Sequence, residues 1–200
     1  ICACLVGSEM CIRDSNKGDW TLANPGDFRK IGNSSSRYPY SFDLSADWKG
    51  FDIRGFFQGI GKRDWYAGGG NHYFWGIYAQ PWTNVQTHNL DHWTPENPNA
   101  YYPRVKAYIA ESTGSELACV QTRYMQDASY LRMKNLTIGY TLPQDLTRKL
   151  NIERVRFYFS GENLFEITHL KANLDPEALD SSSKVYPLQR SYSFGVNLTF

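Results

Sequence analysis

Over its last ten residues, Ser191 to Phe200, the chain alternates without exception. Tyr192, Phe194, Val196, Leu198 and Phe200 fall on one side of a period-2 strand, and Ser191, Ser193, Gly195, Asn197 and Thr199 on the other. Tyr38, Tyr40, Phe42, Leu44, Ala46 and Trp48 repeat the pattern against Pro39, Ser41, Asp43, Ser45 and Asp47. After Lys49-Gly50, which reads as a tight turn, Phe51, Ile53, Gly55, Phe57 and Gly59 continue it. A further strand over 154–168 sets Val155, Phe157, Phe159, Gly161, Phe165 and Ile167 against Arg154, Arg156, Tyr158, Ser160, Glu162 and Glu166, with breaks at Asn163 and Leu164. Residues 129–140 are strand-like with an ambiguous phase. Arg132 and Lys134 share parity with Leu136, Ile138 and Tyr140, so either both cations sit at a rim or a bulge near Asn135 flips the phase. Five strands that alternate between an apolar and a polar side, each long enough for the about 9 to 11 residues that cross a bilayer, suit a transmembrane β-barrel.

The intervening text is loop-like. Residues 61–126 show no sustained period and hold Trp65, Trp75, Trp82, Trp93, the run Gly68-Gly69-Gly70 and four prolines. A stretch of that length signals a functional loop. A Ser- and Asp-rich segment, with Asp175-Pro176 and Ser181-Ser182-Ser183, forms a second loop over 169–187. Leu142, Leu146 and Leu150 suit a short helical connection. Placing the final carboxylate inside the cell envelope puts the short turns on the inner side and the long loops outside, as in outer-membrane barrels.

Composition sharpens this reading. With 21 Lys and Arg against 20 Asp and Glu, the net charge of +1 points to no nucleic acid, while 14 Tyr, 11 Phe and 6 Trp suit aromatic girdles and ligand-contacting loops. No segment approaches the ~20 apolar residues of a membrane helix. Cys2, Cys4 and Cys11 crowd into the opening fifteen residues, whereas only Cys119 lies beyond them. That break in composition suggests a foreign segment, and because the opening resembles a translated sequencing adapter, residues 1–15 are expected to be an artefactual leader and the chain to be truncated at its start. Their spacing matches no zinc pattern.

Little else carries chemistry. His88 and His92 are spaced i, i+4 around Asp91, but Pro95 and Pro98 follow closely and no periodic helix surrounds them. Gly59-Ile60-Gly61-Lys62 lacks the spacing of a phosphate loop. Glu162 and Glu166 with Arg154 and Arg156 suggest a charged lumen wall, and no nucleophile stands beside a base, so the chain is not expected to be an enzyme. Trp65, Tyr66, Trp75, Tyr78, Trp82 and Trp93 are candidates to touch a substrate or a partner lid, or to pack the loop on itself. A secreted β-sandwich that binds carbohydrate through this Trp-rich loop is the alternative.

Several separated motifs then resemble one family. IGN (Ile31 to Asn33), KGFDIRGFFQG (Lys49 to Gly59), DHWTPENPNAYYPR (Asp91 to Arg104), SYLRMKNLTIGYTLP (Ser129 to Pro143), RFYFSGENLF (Arg156 to Phe165), DPE (Asp175 to Glu177) and YPLQRSYSFGVNLTF (Tyr186 to Phe200) look like the carboxyl-terminal end of the SusC/RagA family of TonB-linked outer-membrane transporters of Bacteroidetes. Of the Asp/Asn/Gly-rich, calcium-loop-like stretch often found before IGN, only Asn16 to Asp19 and Asp27 remain, too little for a calcium site. The resemblance implies an all-β, antiparallel transmembrane β-barrel segment: about five carboxyl-terminal strands (38–48, 51–60, 129–140, 154–168, 188–200) of a large TonB-dependent transporter barrel, with long extracellular loops. It implies import of glycans or peptides with a SusD-like surface lipoprotein as lid and with energy from a TonB complex acting through a plug near the amino terminus. No cofactor and no metal are implied. Tyr192, Phe194, Val196, Leu198 and Phe200 resemble the terminal signal read by the barrel assembly machinery, and their face would meet outer-membrane lipid.

Overall fold

The computed structural model describes residues 21, 23–24, 26, 29–68, 71–106, 109–110, 117–148, 152–179, 186 and 188–200. The leader 1–15 with Cys2, Cys4 and Cys11, the remnant Asn16 to Asp19 with Asp27, Gly69, Gly70, Leu150 and Ser181 to Ser183 lie outside them.

The chain divides into two units. In the first to be described, covering 35–63, 128–169 and 187–200, β1 (Arg37–Trp48), β2 (Phe51–Lys62), β5 (Tyr130–Thr141), β6 (Arg154–Glu162) and β8 (Ser191–Thr199) lie side by side in that order, every pair antiparallel. The short β7 (Glu166–Thr168) extends β6 along β5. Lys49 and Gly50 join β1 to β2 with φ of 48° and 87°, the paired left-handed residues that let a two-residue turn follow strand twist. Any side chain at Gly50 would press on the Thr141 carbonyl. After β5, a single turn of helix, α2 (Gln144–Thr147), makes the connection toward β6.

Register aligns the two faces across all five strands. Trp48, Phe51, Tyr140, Phe157 and Val196 form one row, and Ala46, Ile53, Ile138, Phe159 and Phe194 the next. These side chains sit largely in the open: Leu44 is 59% exposed, Phe194 82% and Phe200 83%. Rings meet across strands, with Phe42 stacked on Phe57 at 4.7 Å and Phe51 against Tyr140 at 4.4 Å. The opposite face carries Asp43, Ser45, Asp52, Arg54, Thr137, Arg156, Ser160 and Ser193.

The phase of β5 is decided by a bulge. Phe56 faces Asn135 but Phe57 faces Met133, so Lys134 is the extra residue. Leu131 and Met133 thereby join Leu136 and Ile138 on the apolar face, while Arg132 turns to the polar face. The expected strand over 154–168 is interrupted at the same height. Residues 163–165 separate β6 from β7, and Asn163 takes a φ of 52°. There the three residues 163–165 face only Met133 and Lys134 of β5, and Phe165 and Ile167 remain on the apolar side, Phe57 and Phe165 meeting edge-on.

The second unit covers 1–34, 64–127 and 170–186. It is not the featureless loop that its lack of period suggests. β3 (Asp64–Trp65) pairs with β4 (Gln126–Asp127), and α1 (His72–Trp75) runs into a 3-10 turn at Gly76–Tyr78. Further 3-10 turns lie at Thr87–Leu90 and Thr122–Tyr124.

Candidate functional site

Two surfaces are candidates: the polar face of the sheet and the aromatic unit over 64–127.

On the polar face, charges are paired laterally rather than gathered. Arg54 grips Asp43 through two guanidinium nitrogens, with Nη2 2.7 Å from Oδ2. Arg156 does the same to Asp52, at 2.9 and 2.5 Å. This pair spans the backbone of Gly139, where any Cβ would lie 2.5 Å from Arg156 Nη2 and Asp52 Oδ1. Gly195 likewise lies beneath the ring of Tyr158. Arg132, 3% exposed at its side chain, is bound by Glu166, and Ser191 Oγ donates to Glu162 at 2.9 Å. The charged wall drawn from Glu162, Glu166, Arg154 and Arg156 is therefore a set of cross-strand contacts. Arg154 reaches Thr141 rather than a carboxylate, at 3.4 Å.

In the loop unit, the candidate aromatics divide by burial. Trp75 is 0% and Tyr78 1% exposed, and Trp65 is buried beside Phe74. These three pack the loop upon itself, among Phe74, Tyr102 and Tyr124 around α1. Trp75 packs against Phe74 at 4.9 Å and Tyr124 at 5.2 Å, and its Nε1 donates to the Ala67 carbonyl at 2.7 Å. Tyr78 stacks on Tyr102 at 5.7 Å and donates to the Pro103 carbonyl. Tyr66 is half-buried, with its hydroxyl on the carbonyls of Leu117 and Cys119. Trp93 is half-buried, and only Trp82, at 75%, stands well exposed.

The motif from Asp91 to Arg104 builds a scaffold. The Asp91 carboxylate accepts from Asn97 Nδ2 and the Tyr101 amide, while Trp93 and Tyr102 bond through their backbones. The Phe74 carbonyl, at the end of α1 where no helical partner exists, accepts from Tyr102 Oη, Asn89 Nδ2 and His88 Nε2 at 3.2, 3.3 and 3.2 Å. His92 turns instead to the Asn89 carbonyl. Both histidines thus meet backbone carbonyls of the loop unit, and among the described residues no group of three or more His, Cys, Asp or Glu converges. Gly59 to Lys62 lie at the end of β2 and form no phosphate loop. Burial pushes the Tyr101 phenol up to about 12, and raises Tyr78, Tyr102 and Tyr124 as well, so all four stay neutral.

Burial also lowers the His88 pKa from its ordinary 6.5, outweighing the hydrogen bonds that favour its cation. A depressed folded-state value means its contribution to stability is complete above pH 6.5 and is lost as the pH falls through that lower value. Tryptophan emission of the unit should therefore shift toward solvent on acidification. His88→Gln should flatten that dependence, and an unchanged titration would show that another group governs it.

An antiparallel sheet whose apolar face is open and whose other face carries paired charges is the wall of a transmembrane β-barrel. No helix among the described residues is long and apolar enough to cross a membrane.

Known proteins place that wall more closely. No protein-family profile matches the chain. It is 29% identical over 191 residues to TonB-dependent receptor P3 of Formosa agariphila, covering 87% of this chain and 17% of that protein. It is 26% identical over 174 residues to TonB-dependent receptor P26 of the same organism, covering 80% and 17%. Among solved structures, the RagAB peptide importer superposes in its closed-closed state with a TM-score of 0.63 at 26% identity, and in its open-open state with 0.59 at 27%. Both alignments cover 86% of this chain and 18% of the importer chain. The chain thus spans about a sixth of the length of these relatives, and its likeness is to proteins named TonB-dependent receptors and to the RagAB importer.

Proposed function

We propose that this chain supplies part of the wall and outer loops of an outer-membrane importer for glycans or peptides. The observation that carries the reading is the apolar face shared by five strands. From Tyr38 to Trp48 it runs ten residue steps, ~33 Å of strand, or about 25 Å in height at a tilt of roughly 40°. That matches the apolar band of an outer-membrane barrel, with aromatic residues at both ends. A carbohydrate-binding sandwich would bury this face against a second sheet.

In this reading lipid covers the apolar face, and the row ending at Phe200 serves the barrel assembly machinery. A TonB complex supplies energy through parts of the protein beyond this chain. The loop unit meets a SusD-like lipoprotein lid, as the RagAB neighbours suggest, and the peptide named for that importer favours the peptide arm over the glycan arm. Trp82, with Tyr66 and Trp93 as lesser contributors, offers the contact, because Trp65, Trp75 and Tyr78 face inward.

The test uses the intact receptor in outer membranes. Trp82→Ala should reduce recovery of the lipoprotein or uptake of its cargo severalfold, with the heat-modifiable barrel unchanged on gels. Supplying peptides and oligosaccharides separately assigns the cargo, and uptake of neither would overturn the importer reading.

A further inference from the structure

We infer that Tyr101, Gln126 and Lys171 form a latch that couples the segment 170–179 to the 91–104 scaffold, so that the two sequence-distant loops loosen together. The Lys171 ammonium sits 3.8 Å from the centre of the Tyr101 ring. Its backbone amide donates to Gln126 Oε1 at 3.2 Å. The other end of the same amide side chain donates to Tyr101 Oη at 2.5 Å and to the Tyr124 carbonyl at 3.2 Å. Gln126, 4% exposed, therefore ties both partners of the cation–π contact to β4 and to the turn at 122–124.

Tyr101 is itself fixed from the other side. Its amide donates to Asp91, its carbonyl accepts from Arg123 Nε at 3.2 Å, and its ring meets Tyr124 edge-on at 5.5 Å. Tyr101 is therefore the residue shared by the scaffold and the latch. The segment it holds is strained: directly after Lys171, Ala172 and Asn173 take φ of 63° and 50°, consecutive left-handed residues that a non-glycine backbone avoids. Such a conformation persists only where contacts on its flanks hold it, and Lys171 supplies one flank. Arg123, also cationic, lies over Tyr124 rather than Tyr101, so the Tyr101 face is left to Lys171. The coupling concerns the loops alone and stands whatever the barrel imports.

Hydrogen exchange of the intact receptor in outer-membrane vesicles tests it. Lys171→Met keeps the aliphatic stem and removes the cation. Exchange should rise about threefold, the equivalent of one exposed cation–π contact, in 170–179 and also in 98–104. Amides of β1 and β2 should be unchanged. Lys171→Arg, whose guanidinium also stacks on a ring, should restore protection in both segments. A rise confined to 170–179 would overturn the coupling, and so would failure of Lys171→Arg to restore protection. Both variants alter an exposed side chain, so loss of the fold does not stand in the way.

Discussion

Trp75→Ala should unfold the aromatic unit while leaving the sheet in place. The indole is fully buried among Phe74, Tyr66 and Tyr124, and its removal would leave a large cavity in a core of few side chains. Truncations of this kind cost about 3 to 5 kcal/mol, and the Ala67 carbonyl would lose its donor in addition. A small unit has no reserve to absorb that loss. Limited proteolysis of the intact receptor should show residues 64–127 cut at rates far above wild type, with the barrel still heat-modifiable. Trp82→Ala, at an exposed position, should leave protection unchanged. Equal protease resistance for Trp75→Ala would show that the aromatic cluster is not what holds the unit.

A second substitution tests what faces the apolar side. Leu44 is already 59% exposed and lies between the aromatic ends of β1, so in water Leu44→Arg should alter stability by less than about 0.5 kcal/mol. Against lipid, the same change should cost about 2 to 4 kcal/mol near the midplane. We expect a large fall in folded, heat-modifiable barrel for Leu44→Arg. Ser41→Arg, on the polar face of the same strand opposite Gln58, should be tolerated. Equal tolerance of both would remove the membrane from the account.

Most of the sheet was legible because its signal is local. Alternation with period two assigns a side to each residue without reference to any partner, and register then aligns those sides into rows. The hairpin at Lys49-Gly50 was legible for the same reason, since a two-residue turn is set by its own backbone. The aromatic unit was not. Phe74, Trp75, Tyr78, Tyr102 and Tyr124 converge from positions with no common spacing, and nothing in the sequence separates Trp75, which is buried, from Trp82, which is exposed. Burial there depends on which chain segment returns to cover which ring.

The sequence by itself determined the strands, their two faces and the kinship those motifs imply. Only the tertiary structure chose the bulge at Lys134, because either a bulge or a rim position could accommodate Arg132 and Lys134 until β2, β6 and β7 fixed the register. It alone brought Asp52 to Arg156 across 104 residues of chain and showed why Gly139 must lie between them. Periodicity belongs to one segment of backbone. Pairing, burial and clearance belong to the space between segments, and only the folded chain sets that space.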